Sequence, residues 1–275
     1  MRESSTDSHS SSTSAEAVPK RPSRFNRRRF VEENPYVTFL LPFLAFGLLT
    51  SLEPTESEPG GGSLGLAIPY SAYPWIYTLK VGLTIAAILF VFPGYRKFPW
   101  KVSPLSLGVG VVGVVLWVGA CSLQFEQSYL KPCLDAVGMG GFLGSGTRSA
   151  FDPFEKLSGF PIAAWSFLLV RLVGLALVVP LIEEFFLRGF LMRVVTDNDW
   201  ANLPIGQVNR AAILVGTLVP MLMHPAELLA AAIWFSTVTW LMIKTRNIWD
   251  CVAAHAITNL LLGIYVVVFG AWHLM

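Results

Sequence analysis

The sequence predicts an all-α protein, a polytopic transmembrane bundle of about seven spans and at most eight. Composition is the first reason. Of 275 residues, 53% are hydrophobic and only 14% charged, against about 25% charged in an ordinary soluble domain. Charge placement is the second. Residues 1–34 hold seven of the 20 Lys and Arg and five of the 18 Asp and Glu, so 13 basic and 13 acidic groups are spread over the 241 positions 35–275. The third is that the remainder falls into apolar stretches close to the ~20 residues that cross a bilayer. A net charge of +2 gives no field for nucleic acid. Three cysteines, Cys121, Cys133 and Cys251, are too few for a disulfide framework or a Cys-rich zinc site.

Residues 1–34 read as a cytoplasmic tail. The Ser/Thr-rich stretch 1–19 lacks aromatics and is expected to be disordered. The basic run 20–29 (KRPSRFNRRR) flanks the first span rather than a nucleic acid. Residues 35–159 form an N-terminal transmembrane region with spans near 36–52, 73–93 and 105–123. Lys80 lies inside the second and is expected to snorkel. Residues 160–275 form a second transmembrane core. Its first apolar stretch, 160–194, would measure about 50 Å at 1.5 Å per residue. It therefore has to project, kink at Pro180 or break. Spans near 211–223, 226–243 and 249–270 follow. With seven spans, the tail, the 94–104 loop, the 193–210 loop and the Lys244/Arg246 turn fall on one face. The positive-inside rule makes that face cytoplasmic.

Ionisable groups inside spans are expensive and mark function. Here they are Glu183, Glu184 and Arg188 in LIEEFFLRGF, His224 in LVPMLMHP, and His255 with Asn259 in CVAAHAITNLL. Glu184 and Arg188 stand at i and i+4 and can pair, which leaves Glu183 about 100° around the helix and unpaired. His255 and Asn259 also stand at i and i+4. Counted from the nearest basic residue, Glu183 lies about 15 Å from Arg193, His224 about 21 Å from Arg210, and His255 and Asn259 about 13 and 20 Å from Arg246. One shared layer is expected. Arg171 needs a carboxylate partner that the sequence does not identify, and Glu227 is expected to cap the helix over 226–243.

Glu183-Glu184-x-x-x-Arg188, His224 and His255-x-x-x-Asn259, in this order on successive apolar helices, resemble the EExxxR, FxxxH and HxxxN motifs of the CPBP family. This is the CAAX protease and bacteriocin-processing, or Abi, group of intramembrane glutamate endopeptidases, which includes the type II CAAX prenyl endopeptidases. EExxxR alone is weak, and the ordered triplet carries the resemblance. It covers about 160–270. The Phe of the second motif is replaced by Pro220, and HPAE (224–227) resembles the exosortase/PEP-CTERM-associated branch. The resemblance implies that 160–275 is the catalytic core. Glu183 and His224 would activate water, His255 and Asn259 would form the oxyanion hole, and Glu184 and Arg188 would support the helix.

The residue chemistry fits that implication. Peptide hydrolysis needs a base for water and donors for the developing oxyanion. A carboxylate with an imidazole supplies the first, and an imidazole N–H with a carboxamide supplies the second. Burial favours the protonated form of an isolated carboxyl, so a base at 183 also needs a nearby donor or cation. Water is expected to arrive through a cavity open to the cytoplasm. The implied substrate is a membrane-anchored or lipidated polypeptide, the other partner is the bilayer, and no nucleic acid is expected. The expected cofactor is none. Zinc on Glu183, His224 and His255 is the alternative, although no HExxH is present. Two other readings stay open: a non-catalytic immunity or scaffold protein, and a proton-coupled transporter. The expected location is a bacterial inner membrane.

Overall fold

The structure, a computed structural model, describes residues 25–54, 68–141 and 150–275. The stretch 1–19, the first half of the basic run and the end of the glycine cluster after Gly138 lie outside it. Among the described residues every regular element is helical. The principal helices are α1 (Arg27–Glu33), α2 (Pro35–Thr50), α3 (Tyr73–Tyr95) and α4 (Pro104–Ser122), then α5 (Pro161–Thr196), α6 (Arg210–Leu222), α7 (Leu228–Thr245) and α8 (Ile248–Phe269). By length and composition α3, α4, α5, α7 and α8 can each cross a membrane, while α2 and α6 are shorter apolar helices. The expected seven apolar stretches are all present, within a few residues of their expected bounds.

Local chemistry sets the helix ends. Ser103 caps α4, its Oγ accepting from Ser106 N, and Pro104 opens the helix. Asn209 caps α6 and Asn247 caps α8, each through its side-chain oxygen. Gly270, at φ 66°, ends α8 in the left-handed conformation that glycine adopts without strain. At α7 the expectation fails. Glu227 holds the N-cap position without a side-chain cap bond. Instead Glu126, buried at the start of the π-helical segment Glu126–Leu130 that follows α4, accepts from Leu229 N at 2.7 Å. A carboxylate from a hundred residues away thus satisfies an orphan N–H of the helix start.

The long stretch neither breaks nor splits. α5 runs from Pro161 to Thr196, with π-helical segments at Gly174–Val178 and Phe185–Leu191. Pro180 cannot donate to residue 176 and would crowd its carbonyl in an α-helix. The first π segment absorbs that conflict upstream. Wider turns also release carbonyls to outside donors. Leu175 O accepts from Asn259 Nδ2 at 2.9 Å, and Gly189 O accepts from Arg193 Nη1 at 2.8 Å.

The connecting loops gather at two ends. At one, Asn247 Nδ2 donates to Lys101 O, Ser103 N to Asp250 Oδ1, Trp249 Nε1 to Phe98 O and Trp200 Nε1 to Tyr36 Oη. The expected grouping of the basic loops is therefore real. At the other end Arg171 donates to Phe151 O at 2.6 Å and, at 2.7 Å, to an oxygen of Met275, the final residue, where that oxygen belongs to a carboxylate. The carboxylate expected of it is therefore a main-chain group and not an Asp or Glu side chain. Lys80 does not snorkel: it is buried, paired with Glu53 at 2.5 Å and set over the Phe46 ring.

α4 packs closely along α8, as small residues permit. Thr258 Oγ1 donates to Gly110 O at 2.8 Å. A Cβ at Gly110 would lie 2.7 Å from Ile257 Cβ and 2.8 Å from Ala254 O. Gly110→Ala is expected to destabilise the protein by about 1–3 kcal/mol, read as a lowered melting temperature in detergent. Gly108→Ala, whose Cβ meets nothing within 4 Å, should melt with the wild type.

Candidate functional site

Four helices converge on a buried polar group. Glu184 and Arg188 lie one helical turn apart on α5, both with no exposed surface. Arg188 Nη1 lies 3.2 and 3.0 Å from the two Glu184 oxygens, so the expected pair forms. Arg188 Nη2 then reaches α7, donating to Phe235 O at 3.2 Å and Thr239 Oγ1 at 3.5 Å. Glu184 reaches α8, where His255 Nδ1 lies 2.8 Å from Oε1. The pair therefore does more than support its own helix, because it directly orients His255.

These bonds assign protons. A carboxylate held by a guanidinium accepts, so His255 Nδ1 carries hydrogen and donates. To donate from Nε2 as well, the ring has to carry both protons. His224 is constrained in a similar way: its Nδ1 lies 2.8 Å from Pro220 O. A carbonyl only accepts, so Nδ1–H is the donor and Nε2 of the neutral ring presents its lone pair. This also answers the departure at position 220. α6 ends at Leu222 and His224 follows it in the turn, held by a backbone atom that any residue at 220 would supply. His224 thus stands at a helix end, not within a span as expected.

Phe235 joins the two histidines. Its ring centroid is 5.5 Å from that of His224 and 6.1 Å from that of His255, and Arg188 Cζ lies 5.4 Å from the same centroid. Asn259, one turn beyond His255, spends one Nδ2 hydrogen on Leu175 O and keeps a second. Glu183 enters none of these bonds. It is 8% exposed, and its buried Oε2 has no hydrogen-bond partner among the described residues. Counted at about 1.5 Å per residue, Glu183, Glu184, His255 and Asn259 lie about 13–20 Å along their helices from the nearest basic residue.

Two further aromatics border the site and were not among the sequence candidates. Trp117 of α4 meets His224 edge to face at 5.7 Å, and Trp234 of α7 meets His255 at 5.8 Å. A weak signal existed for Trp117, the one aromatic in the Gly- and Val-rich span 105–123. Among the described residues no three His, Cys, Asp or Glu side chains are grouped to hold a metal ion. A cavity of about 510 Å³ opens at the basic end between Phe98, Lys101, Ile205, Arg246 and Asp250. No site residue lines it, so it is not the expected route for water to the site.

Apolar helices enclosing hydrogen-bonded Glu, Arg and His side chains define an integral membrane protein with an internal polar site. Comparison with known families adds a match over part of the chain. Residues 165–261 match the family described as type II CAAX prenyl endopeptidase Rce1-like, a protease family, as the motifs implied. The match takes in Glu183, Glu184, Arg188, His224, His255 and Asn259 and leaves α1–α4 outside. No curated protein and no solved structure matches the chain.

Arg188→Ala leaves Glu184 buried without its cation, and loss of one member of a buried pair costs about 3–5 kcal/mol. The variant is expected to give sharply less folded protein in membranes, measured by size exclusion of the solubilised protein.

Proposed function

We propose that the protein is an intramembrane endopeptidase that hydrolyses a peptide bond in a membrane-anchored or lipidated polypeptide. One observation carries this reading. Glu183, whose buried Oε2 has no hydrogen-bond partner among the described residues, adjoins a buried Arg188–Glu184–His255 network inside a segment that matches a protease family. An unpaired carboxylate has no cheap structural role in a bilayer.

In this reading Glu183 and His224 activate the attacking water. The Pro220 carbonyl holds His224 Nδ1–H, so Nε2 is the atom that takes the proton. His255 and Asn259 stabilise the tetrahedral oxyanion. Asn259 would use its second Nδ2 hydrogen, and His255 would donate from Nε2. Glu184 and Arg188 act as positioning residues. No cofactor is required. A zinc enzyme would instead lose activity in strong chelator and regain it with metal. The basic face is cytoplasmic under the positive-inside rule, with the N-terminus on that side, in a bacterial inner membrane.

The deciding experiment compares membrane-protein termini by mass spectrometry in hosts that carry wild type or Glu183→Ala at equal expression. New termini that vanish with the variant are expected. Identical termini, under conditions where the protein has a phenotype, would return it to the non-catalytic scaffold class. On the substrate so identified, His255→Ala and Asn259→Ala should each lower kcat about 100- to 1,000-fold with little change in KM. A change confined to KM would remove them from the oxyanion hole.

A further inference from the structure

Buried indole N–H groups usually find an acceptor. This protein follows the rule at its basic end, where Trp200 Nε1 donates to Tyr36 Oη and Trp249 Nε1 to Phe98 O. It breaks the rule beside the two histidines. Trp117 is 6% exposed and Trp234 1%, yet Nε1 of each is buried with no hydrogen-bond partner among the described residues. The Trp234 ring is tightly held: its Cζ3 and Cη2 occupy the space that a Cβ on Gly113 would need. Gly113 stands one helical turn before Trp117 on α4, so both indoles share one neighbourhood with His224, His255 and Phe235. Arg188 Nε, beside Phe235, is likewise buried without a hydrogen-bond partner among the described residues.

An indole N–H can only donate. A polypeptide segment drawn into an apolar bundle has the opposite deficit, because its backbone carbonyls leave water and need donors. We propose that Trp117 and Trp234 form a substrate subsite, their N–H groups donating to backbone carbonyl oxygens of the bound polypeptide beside His224 and His255. The inference rests on the proteolytic reading and adds to it a substrate-holding role for α4, which lies outside the family match. Binding through the peptide backbone makes no demand on the substrate's side chains there.

The test uses full-length protein in proteoliposomes and a synthetic peptide spanning the Glu183-dependent cleavage site, with its native lipid. Trp117→Phe and Trp234→Phe keep a ring and delete the donor. Each is expected to raise KM about 3- to 10-fold with kcat nearly unchanged, and to melt below the wild type through lost packing. Because Phe is smaller than Trp, benzothienylalanine at 117 is the second variant: it keeps the bicyclic shape and replaces only the N–H. Wild-type KM in all three would overturn the subsite while Glu183-dependent cleavage stands. A melting temperature lowered by more than about 5 °C in the benzothienyl variant would make Trp117 structural and overturn it too. If no Glu183-dependent cleavage exists, the proteolytic reading fails and this inference falls with it.

Discussion

A guanidinium with no exposed surface inside an apolar bundle is the constraint on which this structure depends. Arg188 cannot reach water, so its charge has to be balanced and its hydrogens accepted within the protein. Glu184 supplies the balance, while Phe235 O and Thr239 on α7 supply acceptors. The same carboxylate then takes the N–H of His255 on α8. Three helices are fixed relative to one another by satisfying one cation. The ring of Phe235, carried on the backbone that Arg188 grips, sets the spacing to both histidines.

Much of this was legible before any coordinates. Spans could be counted because apolar runs and charged loops alternate, and an i, i+4 Glu–Arg pair has a single geometry on a helix. The expectation that Glu183, His224, His255 and Asn259 share one layer rests on residue counts, because rise per residue is nearly constant. What stayed hidden depends on partners distant in the chain. Nothing near Leu229 announces that Glu126 will take its N–H. Nothing in EExxxR says that its second glutamate will hold a histidine on another helix. Arg171 needs an anionic partner on electrostatic grounds, and it meets a backbone carbonyl and the main-chain carboxylate of Met275, neither of which a search among Asp and Glu would find.

The wall formed by α4 was hidden for another reason. Its signal is absence of bulk: Gly110 and Gly113 have no side chain to read, and their meaning appears only when α8 and Trp234 occupy the space they leave. A Gly- and Val-rich span looks generic by composition. Its position against the site is a tertiary fact, and the family match, which begins after it, does not reach it.

The two π segments of α5 carry a consequence for aim. Each absorbs an extra residue into a turn, so everything beyond it is rotated by about 100° relative to an unbroken α-helix. Arg171, before the first, faces Phe151 and Met275. Glu184, between the two, faces α8, and Arg193, beyond the second, grips the loop carbonyls of Ala201 and Leu203. No single helical wheel describes these three directions. α5 behaves as three dials on one shaft, each set independently. A one-residue insertion or deletion near Gly174 or Leu187 would leave the helix's length almost unchanged, yet it would re-clock every polar group beyond that point.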